Sequence, residues 1–387
     1  MSSLLRDLPA ATPEILAAFG DETLLAAALA FETELARAGA AEGLLTEREA
    51  GLIAAACAAP EIAIATLAAE AAHAGTLAIP LVAHLRRHVA REDLAAAAKV
   101  HLGATSQDLA DTALMLQAKA GVTLIRREAG RITAALRILT ESHVATPMLG
   151  RTLLQAALPI TFGLKTGQWL VAIEEALARF DREAAAALRV QFGGAAGTLA
   201  GLDGRGQAVA RRLAAALGLG LQGLPWHARR NEVAGLAASL AILTGAAAKI
   251  ARDISLLAQT EIGEVFEPRV AGRGGSSAMA HKRNPTGCQV ILSAAIRTPG
   301  LAATILAGLP QEQERGLGGW QAEGPVLVDL FGLTHGALSA LAGILEGLEV
   351  DAIRMRANLA AADLGSDTGD SVALAQAARH YFSGTDS

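Results

Sequence analysis

Gly272-Arg-Gly-Gly-Ser-Ser-Ala-Met-Ala-His-Lys-Arg-Asn-Pro285 is the stretch from which the rest of the chain can be read. Four of its first five positions are Gly or Arg, so it is a poor helix: each Gly in a helix interior costs about 1 kcal/mol relative to Ala. Two hydroxyls, Ser276 and Ser277, and three cationic or potentially cationic groups, His281, Lys282 and Arg283, then follow within eight residues. Asn284 before Pro285 reads as a helix N-cap with proline at the first helical position. Glycines, hydroxyls and cations delivered at a helix N-terminus predict a place to hold an anion. Gly272, Gly274 and Gly275 should let the segment open and close over it.

The segment resembles the Gly-Ser-Ser-x-Met-Pro-x-Lys-x-Asn loop of the fumarase/aspartase superfamily, with Ala280 in place of the usual proline. That resemblance implies an enzyme without a cofactor that adds or eliminates a group next to a carboxylate.

Composition sets the outer bounds. The 387 residues allow a large core, and more than one domain is expected. A net charge of −5 with only 3% aromatic residues offers neither the charge nor the stacking groups of a nucleic-acid binder. The chain is 52% hydrophobic, but much of that is alanine, and apolar runs are broken, as by Pro60, Glu61, Glu70, His73 and Pro80. No membrane partner is expected on that basis. Arg6, Asp7 and Pro9 argue against a secretory signal. Cys57 and Cys288 stand far apart, outside metal-ligand spacing, and read as small core residues of a cytoplasmic protein.

Abundant Ala and Leu predict an all-helical protein. Val233, Leu236, Leu240, Leu243, Ile250, Ile254 and Leu257, with Ala247 filling the gap, form one apolar stripe on a helix from Asn231 to Val265. Similar patterns cover Ser106–Val144, Leu164–Val190, Thr286–Leu306 and Pro325–Leu348. Five long helices predict an elongated bundle spanning 101–350, and their small-residue surfaces predict packing against further copies of the chain. Residues 1–100 read as an N-terminal helical domain and 351–387 as a short C-terminal tail. Phe19-Gly-Asp-Glu-Thr and Phe31-Glu-Thr-Glu-Leu-Ala-Arg-Ala resemble the start of superfamily N-terminal domains. Superfamily members usually carry a third small helical domain after the bundle, so the resemblance implies that the C-terminal domain is truncated here.

Two further segments carry the resemblance. His101-Leu-Gly-Ala-Thr-Ser-Gln-Asp108 precedes a helix that Thr105 or Ser106 can cap, with Asp108 in its first turn. Capping explains much of this segment; the alternative is that the Thr105 and Ser106 hydroxyls bind a substrate carboxylate. The segment is similar to the first conserved region of adenylosuccinate lyases and 3-carboxymuconate cycloisomerases. Gly150-Arg-Thr-Leu-Leu-Gln-Ala-Ala-Leu-Pro-Ile-Thr-Phe-Gly163 resembles the second region, with Gln155 as a substrate-binding candidate. Superfamily members that expel amines or hydroxide carry a histidine after the Arg-Thr pair. Here that position is Leu153, which cannot transfer a proton. A carboxylate nucleophile or leaving group needs no acid there, so the departure points to the cycloisomerase branch.

Gln311-Glu-Gln-Glu-Arg-Gly-Leu-Gly-Gly-Trp-Gln-Ala-Glu323 also resembles that branch, with Gln313 and Gln321 at positions associated with histidine. Arg315 is either a surface cation or a binding group; Trp320 reads as a packing anchor. His227 and His335 have no motif around them. Taken together, the resemblance implies lactone formation from 3-carboxy-cis,cis-muconate in protocatechuate breakdown, in a homotetramer that draws each site from several subunits. It implies Ser276 or Lys282 as the proton carrier, with Thr105, Ser106, Gln155, Arg283, Asn284 and Arg315 binding substrate and no metal or organic cofactor. An adenylosuccinate-type lyase and an inactive helical scaffold are the alternatives.

Overall fold

The computed structural model describes residues 4–275, 279 and 282–381. Shorter helices come first: α1 (Leu4–Asp7), α2 (Pro13–Ala18), α3 (Asp21–Ala41), α4 (Glu47–Ala58), α5 (Ile64–Ala74), α6 (Ala78–Val89) and α7 (Leu94–Ala98). The long elements follow. They are α8 (Ser106–Ser142), the hairpin β1 (Pro147–Thr152) and β2 (Gln155–Thr161), α9 (Phe162–Ala187), α10 (Gly206–Leu217) and α11 (Asn231–Leu257). Then come β3 (Val265–Phe266), α12 (Thr286–Ala307), α13 (Gly319–Leu345), β4 (Glu349–Val350), α14 (Ala352–Ala362) and α15 (Ser371–Arg379). The protein is all-helical, with only two small two-stranded sheets among the described residues.

The apolar stripe of α11 faces the core as expected, with Val233, Leu236, Leu240, Leu243, Ala247, Ile250, Ile254 and Leu257 all buried. The helix ends at Leu257, short of Val265, because the chain turns at Gly263 (φ 63°) and Val265 pairs with Val350 across β3 and β4. Conversely, α13 starts at Gly319, ahead of the expected Pro325, which lies inside the helix. Helix α11 packs on α9, α12 and α13, and α8 packs on α9 and α13. Close approach is built into the contacts: a Cβ on Gly121 of α8 would lie 2.7 Å from the Phe331 ring of α13.

One buried ion cluster fixes the direction of the bundle. Arg230, just before α11, donates to Asp111 near the start of α8 at 2.8 and 2.9 Å, and to Glu323 near the start of α13 at 2.5 to 3.1 Å. Helices α8, α11 and α13 therefore begin at one end, while α9 and α12 run back. We term these the near and far ends. With 27 residues, α11 separates them by roughly 40 Å at 1.5 Å per residue.

Among the described residues, α11, α12 and α13 are long and apolar enough to cross a membrane by length and composition. Prolines do interrupt two of them, Pro299 in α12 and Pro325 in α13. Most of α11 and α13 is covered by the bundle itself, whereas only 28% of the most apolar window of α12 is buried. Past Asp351 the chain folds back on the bundle, α14 against β1 and α15 against α9.

Candidate functional site

The far end carries the hairpin between α8 and α9. Thr152 pairs with Gln155, so Leu153 and Leu154 alone make the turn. Both have positive φ, 50° and 65°, as a type I′ hairpin turn requires and as Asn-Gly would supply with less strain. Their side chains are 96% and 76% exposed, and Gln155 beside them is exposed as well. The hairpin thus projects an apolar tip away from its own chain. Arg151, paired with Ala156 one position below the turn, makes a two-pronged contact with the buried Glu264 carboxylate at 2.9 and 3.0 Å.

The glycine-rich segment lies at the same end. Gly274 (φ 71°) accepts the Asn284 N–H at 2.8 Å, closing the loop at its base. A Cβ there would sit 2.7 Å from the Asn284 carbonyl oxygen, so this position requires glycine. Ser276 and Ser277, like Ala280 and His281, lie outside the described residues. A cavity of about 190 Å³ beside the loop is lined in part by Phe266, Arg269, Arg273, Lys282, Arg283 and Asn284. Lys282 is exposed.

One expectation for this loop, the Asn284 cap, is corrected by its geometry. Helix α12 starts at Thr286 with Pro285 at the N-cap and no side-chain cap from Asn284. Its first-turn N–H groups are taken instead by Glu267, which accepts from Gly287 at 3.1 Å and Cys288 at 2.7 Å. The helix terminus therefore holds the chain's own carboxylate. Arg283, expected to bind substrate, lines the cavity and also makes contacts within its own chain: it donates to Glu349 at 2.9 Å and to the Glu267 carbonyl at 2.7 Å, and lies 4.9 Å from the Phe266 ring centre. The hydrogen bond and charge of Arg283 hold the Glu349 carboxyl below its ordinary range. Burial pushes the Cys288 thiol up, consistent with a core residue rather than a nucleophile.

At the near end, Thr105 caps α8 and Ser106 opens it, both half-buried. Asp108 is fully buried and gathers four donors: Thr105 N–H at 2.9 Å, Gly193 N–H at 3.0 Å, Gly194 N–H at 2.9 Å and His227 Nε2 at 2.7 Å. His227 is thus a structural partner of the motif acid. Arg315 reaches the same loop, donating to the Ala195 carbonyl at 2.5 Å and lying 3.4 Å from that of Gly194. The Arg230 cluster lies behind, where burial raises the Glu323 pKa against the pull of Arg230.

The structure therefore brings Thr105, Ser106 and Arg315 together at one end, and Gln155, Lys282 and Asn284 at the other. Within one chain the two groups do not meet. Sequence reading passed over Gly193-Gly-Ala-Ala-Gly-Thr198, which joins the near-end group. Its signal was present in the glycines, two of which, Gly194 and Gly197, have positive φ.

A family profile described as Lyase matches residues 8–300, three quarters of the chain. The chain belongs to this lyase family of the fumarase/aspartase superfamily. Within it, the chain is 48% identical to the 3-carboxy-cis,cis-muconate cycloisomerase of Bradyrhizobium diazoefficiens, over 89% of this chain and 76% of the relative. The nitrosuccinate lyase of Streptomyces davaonensis is 44% identical, over 92% of this chain and 77% of that one. The crystal structure of the 3-carboxy-cis,cis-muconate lactonizing enzyme from Pseudomonas putida superposes with a TM-score of 0.87 at 43% identity, covering 92% of this chain and 79% of that one. The lyase-family fold and the long-helix bundle described above agree.

Proposed function

We propose that this protein is a cycloisomerase that closes 3-carboxy-cis,cis-muconate into a carboxymuconolactone without a cofactor. The observation that carries the reading is Leu153, a side chain that cannot transfer a proton, held at the exposed tip of the hairpin. The identity to cycloisomerases supports it. A carboxylate oxygen adds to the internal double bond, forming a C–O bond. The displaced electron pair moves to the carbon alpha to another carboxylate and spreads into that group as an aci-carboxylate. Protonation at the alpha carbon completes the ring closure: one proton is taken up to replace the carboxylate charge consumed in forming the ester, and no leaving group departs.

Rate comes from holding the aci-carboxylate better than the substrate. Lys282 and Asn284 supply donors to that developing charge. Thr105 and Ser106 take a second carboxylate, with Gln155 and Arg315 at the margins. Ser276 or Lys282 supplies the proton. Arg283, in the wall of the same cavity, adds a further cation for the substrate. Because near-end and far-end groups lie roughly 40 Å apart in one chain, the reading requires a homotetramer in which different copies complete each site. The open face of α12 is where such copies would pack. With Cys57 and Cys288 as free, buried thiols, a reducing cytoplasm suits the protein.

A second reading rests on the similarity to nitrosuccinate lyase. Elimination from a substituted succinate would also tolerate Leu153 when the group departs as a stable anion. A spectrophotometric assay separates them. Loss of the conjugated diene of 3-carboxymuconate supports the cycloisomerase. Fumarate and nitrite from nitrosuccinate, with no turnover of the muconate, would support the lyase. Turnover of neither points to a helical scaffold.

A further inference from the structure

Arg151 belongs to a motif, yet the reaction above gives it no task. Its guanidinium meets Glu264 in a planar, two-pronged contact, a geometry that fixes direction as well as distance. Glu264 is fully buried, and its Oε1 also accepts from Asn358 of α14 at 2.7 Å. The same Asn358 amide donates to the Ile262 carbonyl at 2.9 Å. Arg354, one turn earlier on α14, donates to Ile262 and Glu261 carbonyls at 3.0 and 2.8 Å. The Glu264 backbone is held too, its N–H by the Leu257 carbonyl and its carbonyl by the Asp351 N–H, both at 2.9 Å. One residue thus ties the tip-proximal part of the hairpin and α14, through its carboxylate, and the end of α11, through its backbone, to the strand that leads into the Lys282 cavity.

We propose that Glu264 is a positioning residue, and that Arg151, Glu264 and Asn358 form a clamp that sets the Leu153–Gln155 tip relative to the glycine-rich loop. A buried ion pair contributes little net stability compared with apolar packing of the same volume. What this one provides is a fixed angle between the hairpin and the bundle. The proposal rests on the cycloisomerase reading for its effect on turnover, and on geometry alone for its effect on the hairpin.

The test compares Asn358→Ala, Arg151→Lys and Arg151→Met with the parent, each as the full oligomer. Two readouts are taken: lactone formation from 3-carboxymuconate, and hydrogen exchange of amides in 147–161. Misplacing reacting groups by about 1 Å costs on the order of 100-fold in rate. Accordingly, kcat should fall by roughly that factor in Arg151→Met, with KM changed far less. Arg151→Lys, which keeps one donor, should recover part of the loss. Asn358→Ala spares the Arg151 pair and the Arg354 staples, so it should fold while exchange in the hairpin accelerates and that of α11 does not. Unchanged hairpin exchange in both Asn358→Ala and Arg151→Met overturns the clamp. So does a fall in kcat without faster hairpin exchange. If the parent makes no lactone, the functional reading fails and the exchange readout still decides the clamp.

Discussion

The Cys288 N–H donates to the Glu267 carboxylate at 2.7 Å, so a residue 21 positions upstream caps the helix that follows the glycine-rich loop. A side-chain cap of this kind contributes about 1 kcal/mol, more when buried N–H groups would be left unpaired. Glu267→Ala should therefore lower stability by about 1–2 kcal/mol. Glu267→Gln, which keeps one acceptor, should lose less. Urea denaturation measures both, and a silent Glu267→Ala would show that water caps the helix equally well.

Lys282 is exposed beside the cavity, so Lys282→Met should leave stability within about 0.5 kcal/mol of the parent. Its effect belongs to turnover. Removing a charge-stabilising donor costs about 3 kcal/mol, a hundredfold or more in rate. Ser276→Ala should also depress turnover if that serine handles the alpha proton. Parental activity in Lys282→Met sinks the anion-site assignment. A silent Ser276→Ala beside a crippled Lys282→Met makes Lys282 the proton carrier.

The Leu153–Leu154 turn sets stability against function. Non-glycine residues in the left-handed region cost roughly 1–2 kcal/mol each, and strain of this kind is retained chiefly where a site needs it. Replacing the pair by Asn-Gly should raise the thermal midpoint and lower lactone formation. Leu153→His should not raise lactone formation, since a carboxylate nucleophile needs no acid there. A histidine variant that gains cleavage of adenylosuccinate, from a parent inert to 3-carboxymuconate, ends the cycloisomerase reading.

What the sequence showed and what it hid follow from the range of the interactions. The α11 stripe is a local pattern with a period of 3.6 residues, and it could be read to within a turn at Asn231. The cap at Asn284 could not, because the true acceptor, Glu267, is distant in the chain and reaches the helix only after β3 turns the backbone. Asp108 was legible as a first-turn acid, whereas its bonds to Gly193, Gly194 and His227 exist only once α9 has brought the chain back. Likewise, Arg283 carries the motif's charge, but its pairing with Glu349 depends on β4. Motif residues were recognisable; which end of the bundle held each was a property of the up-and-down topology.

His101 offers a pH test at the root of the Thr105 motif. Its Nδ1 lies 2.5 Å from Glu32, a fully buried carboxylate. Burial alone would lower the His101 pKa, but the charge and hydrogen bond of Glu32 outweigh it and the net shift is upward. With a folded value above the unfolded one of about 6.5, the pair's stabilisation is complete below that value and fades as pH rises through the folded one. His101→Asn suits the same left-handed backbone (φ 65°). The stability gap between parent and variant should narrow from mildly acidic to alkaline pH in urea titrations. A gap that widens would show that His101 is neutral in the fold.

Separation of the motif groups makes the assembly testable through catalysis itself. Ser106 opens α8 at one end of the bundle, and Lys282 lies by the cavity at the other. If a site takes its near-end groups from one copy and its far-end groups from another, neither Ser106→Ala nor Lys282→Met can build an intact site alone. Hybrids of the two can, because some of their sites receive Ser106 and Lys282 from complementary subunits. Unfolding and refolding the variants together should therefore restore a share of parental lactone formation, while mixing without subunit exchange should not. Light scattering should report four times the 39.5 kDa chain mass for parent and hybrids, as expected for closed symmetry. A fully active monomer, or refolded mixtures no better than their separate components, would remove the shared-site arrangement and require both ends of the bundle to serve different tasks.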